Sequence, residues 1–167
     1  ISNAQSMQTI ARQREELTTV FEQLADGVLL SDPAGRVLKI NSAGRRMLGV
    51  MPPDQPDNTS PIVPSTMEKI IEQFAVRWPD GRPVGLSDLV VFRAMAEGRV
   101  VEDQIVLHRP EGTEVILSTK AAPLVGMESE LIGSVMILRD VTEERYRDKV
   151  MQETNRNMAE HQKRTSI

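Results

Sequence analysis

The stretch from Leu131 to Tyr146 changes character abruptly at Asp140. Before Asp140 it is a short apolar run rich in β-branched residues, which predicts a buried strand. Alternate residues of a strand point to opposite faces, and here both faces are apolar: Ile132, Met136 and Leu138 on one, Val135 and Ile137 on the other. We therefore expect a strand that is covered on both sides.

A charged helical sequence follows at once. Asp140 and Glu143 have the spacing of a capping box, with Asp140 at the N-cap position. The helix predicted from Val141 to about Lys163 is polar on nearly every side, which is typical of a linker or a dimeric stalk. A buried strand that runs directly into an exposed helix can carry movement out of a core, and this is our first hypothesis for the function.

Composition narrows the class of protein. The chain has 167 residues, enough for one domain with extensions, and its net charge is −4 with acidic and basic residues interspersed. This charge pattern argues against nucleic acid as a partner. The chain has no cysteine, which excludes disulfides and thiolate sites. No membrane-length apolar run or signal peptide is visible, so we expect a cytoplasmic module. It would belong to a longer parent protein, which is either anchored in a membrane or free. Residues 2–4 resemble a tag scar.

A heptad pattern occupies the N-terminal residues. Apolar side chains recur at Met7, Ile10, Leu17, Phe21 and Leu24, with Arg14 interrupting them. Such a narrow seam predicts a helix that dimerises through Ile10, Leu17, Phe21 and Leu24. The alternative, a helix that packs on its own domain, fits the short pattern equally well.

The central region alternates strands, turns and capped helices. Strands are predicted at 28–31 and 36–40, 100–109 and 113–124, and 131–139. Asn41 or Ser42 should cap a short helix that ends at Gly49. Ser65 should cap a second helix, and Ser87 should cap a third helix that ends at Gly98. Residues 51–65 hold five of the ten prolines and predict a surface loop or lid. This order favours an α+β fold with helices on one face of an antiparallel sheet.

Three motifs together resemble a PAS domain. They are Leu24–Ala43, with Asp32, Gly35, Asn41 and Ala43 at matching positions; the turn Arg109–Gly112; and Gly133–Thr142, with its aspartate–aliphatic–threonine end. The resemblance covers about residues 20–145. It implies a five-stranded sheet in the order 2-1-5-4-3 around a cleft, in a sensory or dimerising module of bacterial signalling proteins, often sensor histidine kinases. The loop after Gly49 is longer than usual for the family. The flavin-photosensing branch needs a cysteine that this chain lacks.

We accordingly divide the chain into an N-terminal helix (1–24), a PAS domain (25–140) and a C-terminal signalling helix (141–167). A ligand cleft is expected between the sheet and the helix Ser87–Gly98. Its predicted walls are Phe92, Met95, Leu117 and Met136, with Trp78 near the mouth. The alternative is that these residues only fill the core. The ligand itself, and any cofactor, is unknown.

Histidines are weak candidates for chemistry. His108 lies late in a strand, whereas haem-binding relatives place their histidine on the preceding helix, so we expect a surface histidine and neither haem nor metal. The C-terminal residues resemble a histidine-kinase phosphoacceptor box at His161, Arg164 and Thr165, but Gln162 and Ser166 depart from it. A histidine on a solvated helix is the favoured alternative. With no nucleophile–base pair and no Gly-rich phosphate loop, we expect no catalysis by this chain.

The sequence thus predicts a homodimeric PAS sensor that binds a small ligand and passes the signal to an output domain of the same chain. Asp140, Val141 and Thr142 would form the joint between the last strand and the signalling helix. The alternative function is a ligand-free dimerisation module.

Overall fold

The computed structural model describes residues 2–50 and 64–165, with side chains described for residues 6–50 and 64–159. Most of the predicted proline-rich loop, residues 51–63, lies outside these ranges. None of the helices in the described ranges is long and apolar enough to cross a membrane.

Five antiparallel strands form one sheet. They are β1 (Gly27–Ser31), β2 (Val37–Ile40), β3 (Val101–His108), β4 (Glu114–Val125) and β5 (Leu131–Asp140). Their order across the sheet is β2-β1-β5-β4-β3, the order that the resemblance implied. The last strand therefore lies in the centre, paired on one side with β1 and on the other with β4.

The described residues form five α-helices. They are α1 (Ser2–Gln23), α2 (Ser42–Leu48), α3 (Met67–Gln73), α4 (Val90–Glu97) and α5 (Thr142–Thr165), with a 3₁₀ turn at Leu86–Asp88. Helices α2 and α4 pack on the sheet, and α1 packs chiefly against α2. The face of the sheet that α4 covers is called the inner face below.

The core lies between the inner face and the short helices. Its largest fully buried apolar side chains come from four strands and two helices, and from the residue that ends α3: Leu29, Leu107, Val115, Leu117, Leu138, Met67, Val91 and Phe74. Burial of such side chains contributes about 1.5–3 kcal/mol each. The core is thus large enough to hold the fold without disulfides.

Helix boundaries partly correct the sequence predictions. Of the two predicted caps, Asn41 and Ser42, the structure has Asn41, and the left-handed stop at Gly49 is confirmed. The cap at Ser65 is wrong, because Thr66 accepts from the Lys69 backbone N–H at 3.2 Å instead. The cap at Ser87 is also wrong. That residue lies in the 3₁₀ turn, and α4 begins after Leu89 without a side-chain cap.

The predicted N-cap at Asp140 is displaced by one residue. Asp140 still pairs with Leu117 as the last residue of β5, so the chain cannot bend into a helix until Val141. The first carbonyl to accept an intrahelical bond is that of Val141, from the Arg145 N–H at 2.9 Å. Asp140 nevertheless caps α5 from outside, since its Oδ1 accepts from the Thr142 N–H at 3.0 Å.

The expectation that β5 is covered on both faces is wrong within one chain. Met136 and Leu138 are buried on the inner face, but Ile137 on the outer face is 38% exposed. Helix α1 packs chiefly on α2. The apolar outer face is therefore left partly open to solvent.

Candidate functional site

The junction between β5 and α5 is hydrogen-bonded to one residue of β4. The Val141 N–H donates to the Ile116 carbonyl at 3.0 Å, and the Ile116 N–H donates to Thr142 Oγ1 at 3.0 Å. The Thr142 hydroxyl in turn donates to Asp140 Oδ1 at 2.6 Å. The three residues predicted as the joint are thus brought together and fixed to the sheet.

A second contact holds the first turn of α5 against the edge of the sheet. The Arg145 guanidinium donates to Gln104 Oε1 on β3. Arg139 of β5 also lies 3.4 Å from the carboxylate of Glu144. The start of α5 therefore contacts three strands.

The predicted wall residues lie on two sides of α4. Leu117 and Met136 are buried on the sheet beneath the helix. Phe92 points towards the β1–β2 turn, because a Cβ on Gly35 would lie 2.6 Å from its ring. Met95 packs against the same core. The left-handed Gly35 (φ +88°) is what allows the turn to approach the aromatic ring.

An open cleft of about 530 Å³ lies on the β3 side of α4. Its lining residues are Trp78, Pro79, Asp80, Arg82, Asp88, Arg93 and Asp103. Of the five predicted wall residues only Trp78 lines it, so Trp78 and Phe92 do not share this cavity. The cleft nevertheless lies between α4 and the sheet, since Arg93 on the helix and Asp103 on β3 both line it.

Charges of both signs line the cleft. Arg93 Nη1 lies 3.0 Å from Asp103 Oδ2, and Arg82 Nε lies 2.6 Å from Asp80 Oδ2. The pKa of Asp80 is lowered, chiefly because its carboxylate accepts a hydrogen bond from the Arg82 backbone N–H. Asp88 also faces the cleft, and no side-chain partner is found for it among the described residues. A polar ligand with charged groups fits this lining better than an apolar one.

Sequence reasoning missed most of this lining. Asp80, Arg82 and Asp88 sit in turns, and their approach to Arg93 and Asp103 depends on how α4 packs against β3. The only local signal was the alternation of acidic and basic residues after Trp78.

The residues predicted to dimerise lie along α1 and just after it. Leu17 is 70% exposed and Ile10 is 49% exposed, so both are uncovered in a single chain. Phe21 is half-buried, with the Lys39 ammonium 4.9 Å from its ring centroid. Leu24 follows the end of α1 and is also exposed. The apolar seam is thus available for a second molecule except at Phe21.

The two histidines occupy different settings. His108 ends β3, where its Nε2 lies 3.3 Å from a Glu114 carboxylate oxygen across the hairpin. His161 is within α5, but its side chain belongs to residues 160–167, outside the side chains described. Within the described part of the chain, no three His, Asp or Glu side chains are grouped to bind a metal ion.

Known proteins with similar structures support the fold. An RNA-binding light-oxygen-voltage receptor aligns at a TM-score of 0.64 and 18% identity, over 87% of this chain and 38% of that one. The PAS domain of an HTR-like protein from Haloarcula marismortui aligns at a TM-score of 0.53 and 15% identity, over 82% of this chain and 98% of that one. A ligand–DNA complex of VqmA from Vibrio cholera aligns at a TM-score of 0.52 and 15% identity, over 76% of this chain and 50% of that one.

The sequence has no significant match among curated proteins. It does match the family model described as PAS domain, over residues 25–143. The matched span runs from just before β1 to the first turn of α5, and includes the turn, the cap and the junction described above. The match covers more than half of the chain, and the sheet has the expected strand order. The chain therefore belongs to the PAS domain family, whose members are sensory and generally non-catalytic modules.

Proposed function

We propose that this PAS domain senses a small ligand and passes the change to α5. The observation that carries the proposal is the attachment of the junction to Ile116, whose neighbour Leu117 is fully buried under α4. A ligand that moves α4 relative to β4 changes the packing of Leu117. Ile116 and the start of α5 are then displaced with it.

The ligand that we propose is small, polar and charged. It would enter beside Trp78 and contact Arg93 and Asp103, which are already paired at 3.0 Å across the cleft. Leu117 and Met136 are buried, so a ligand reaches them only if α4 moves away from the sheet. The predicted wall residues would then line the enlarged site.

A thermal-shift screen with charged metabolites tests this proposal, because a ligand that binds only the folded state raises Tm. Any stabilising compound should lose its effect in Trp78→Ala and Arg93→Gln. Arg99→Gln is the matched control, since Arg99 lies just beyond α4 and its one ion pair among the described residues is with exposed Glu97. Stabilisation that survives both cleft substitutions would place the ligand elsewhere.

The alternative function is a ligand-free dimerisation module. The exposed seam of α1 and the partly open outer face of the sheet favour it. If no metabolite in the screen raises Tm and the chain forms a dimer through α1, this alternative is supported. The two functions are compatible if a dimer also senses.

We further propose that the parent is a cytoplasmic sensor histidine kinase, in which α5 leads to the output domain. The support is the resemblance of the residues around His161 to a phosphoacceptor box. A longer chain incubated with labelled ATP should acquire label at His161 and lose it in His161→Gln. Label retained by that variant would place the phosphoacceptor at another residue.

Nucleic acid is a further partner to consider for this domain. The net charge predicts no such partner, but two of the similar structures are named for RNA or DNA binding. Those names describe proteins of which this chain spans 38% and 50%. We propose that this domain itself does not bind nucleic acid, which a gel-shift assay with the isolated chain can check.

A further inference from the structure

The short helix α2 is attached at one end to α1 and at the other to the β5–α5 junction. At its N-terminal end, Glu22 of α1 accepts hydrogen bonds from the Ser42 N–H at 2.9 Å, from the Ser42 hydroxyl and from Arg45 Nη2 at 2.9 Å. Arg45 is only 9% exposed, and Glu22 is its one carboxylate partner among the described residues. Removal of the counter-ion of a buried charge is strongly destabilising, because it leaves that charge uncompensated.

Asn41 strengthens the same attachment. Its amide group donates to the carbonyls of Phe21 and Asp26, both at 3.0 Å, and its Oδ1 accepts from the backbone N–H groups of Val28 and Gly44. The side chain is fully buried and uses both its donors and its acceptor. One asparagine therefore joins the last turn of α1, the start of β1 and the first turn of α2.

The other end of α2 contacts Arg109 in the β3–β4 hairpin. Arg109 Nε donates to the Met47 carbonyl at 3.0 Å, one of the carbonyls at the C-terminal end of the helix. The stem of Arg109 lies along the stop of the helix, since a Cβ on Gly49 would be 3.1 Å from its Cδ. Arg109 Nη2 lies 3.9 Å from Asp140 Oδ2, and Asp140 in turn holds Thr142 at the start of α5.

Helix α2 is short enough to move as one body. It has seven residues and lies so close to β1 that a Cβ on Gly27 would be 2.8 Å from the Gly44 Cα. Helix α2 therefore packs on β1 between its contacts with α1 and with Arg109.

We propose that α2 couples α1 directly to α5, through Glu22 and Asn41 at one end and Arg109 and Asp140 at the other. This route involves no residue of the cleft beside α4. The domain can therefore transmit a displacement of α1, arriving from the preceding part of a longer protein, with nothing bound in the cleft. This function is distinct from ligand sensing, and its test does not depend on finding a ligand.

Hydrogen exchange on the full chain tests the proposal. Glu22→Gln should raise amide exchange in the first turn of α5, residues 142–145, by about fivefold, a factor typical of coupled sites. Glu16→Gln, an exposed acidic position on the same helix, is the matched control and should leave this turn unchanged. Exchange in α4, which holds no residue of the route, serves as the internal reference.

A double substitution identifies the route. In an Arg109→Gln background, Glu22→Gln should have no further effect on residues 142–145. Coupling between two sites is reciprocal, so Asp140→Asn should likewise raise exchange in the first turn of α2. The proposal is overturned if Glu22→Gln changes α2 but not α5, or if its effect on α5 persists without Arg109. If Glu22→Gln raises exchange throughout the domain, the milder Ser42→Ala gives the same comparison, and an equal rise in α4 and α5 in that variant also overturns the proposal.

Discussion

The hydroxyl groups of Ser31 and Ser134 lie 2.9 Å apart on neighbouring strands, and both side chains are fully buried on the inner face. They form a polar pair between β1 and β5, the first strand and the last. One hydroxyl donates and the other accepts, where no solvent reaches. The pair therefore contributes to the register of the central strand as well as to its stability.

Removal of both members of this pair should cost less than the sum of the two single removals. Ser31→Ala or Ser134→Ala leaves a buried hydroxyl without its partner, which costs about 1–3 kcal/mol. The double variant leaves no unpaired group, so its loss should be smaller than the sum of the single losses. Urea unfolding of the three variants measures this. Additive losses would show that the two hydroxyls act independently.

Thr142→Val should loosen the junction. The substitution keeps the shape of the side chain but removes the hydroxyl that accepts from Ile116 N–H and donates to Asp140. We expect a loss of about 1–2 kcal/mol in the free energy of unfolding, within the range for a hydrogen bond and an unpaired N–H. Thr154→Val on the exposed part of α5 is the control, with an expected change below about 0.5 kcal/mol. Equal effects in urea unfolding would contradict a special role for Thr142.

The contact between Glu22 and α2 should weaken in acid. Burial alone would raise the pKa of Glu22, but hydrogen bonds from Ser42 and the charge of Arg45 outweigh burial and lower the pKa from 4.5. The carboxylate therefore contributes stability above about pH 4.5, and this contribution is lost as the pH falls through the lower folded-state pKa. Glu22→Gln should remove this part of the pH dependence. Chemical unfolding of both proteins at pH 7 and pH 3 checks it, and parallel profiles would count against the assignment.

Ala75→Gly should stabilise the fold or leave it unchanged, unlike most glycine substitutions. Ala75 follows α3 with φ of +44°, where a Cβ costs energy that glycine avoids. The gain expected is up to about 1 kcal/mol, reduced by the greater freedom of glycine in the unfolded chain. Ala96→Gly in α4 is the matched control and should cost about 1 kcal/mol. A similar loss at both positions would contradict the argument from φ.

Leu17→Glu should shift the chain towards the monomer. Leu17 lies on the exposed seam of α1. In a dimer through this seam, the substitution would bury two carboxylates that face and repel each other. Sedimentation velocity at several concentrations measures the change. Met127→Glu is the control, because Met127 is fully exposed in the β4–β5 turn. A dimer that persists in Leu17→Glu would exclude this seam as the interface.

Local features of the fold were predictable because each depends on neighbours in sequence. The cap at Asn41, the glycine turns at Gly35 and Gly49 and the strand order implied by the motifs are confirmed. The cap at Ser65 was misplaced because a second candidate, Thr66, stands beside it. Thr66 replaced Ser65 because pairing of Arg36 with Thr66 sets the start of α3.

Contacts between distant segments were not predictable. The position of Arg109 between Met47 and Asp140 depends on three elements that meet only in the folded chain. The same holds for Glu22 and Arg45, whose pairing requires α1 to lie against α2. A sequence shows which residues are charged, but long-range ion pairs follow from the packing of backbones.

The central place of β5 also affects the order in which the domain can fold. During synthesis β1 and β2 emerge first, but β1 reaches the β3–β4 hairpin only through a strand that is made about one hundred residues later. Until then, β1 and β4 each present an unpaired edge, which invites association with other chains. Completion of the sheet and formation of the α5 junction are therefore one event. A nascent chain that stops short of Asp140 should need protection by chaperones.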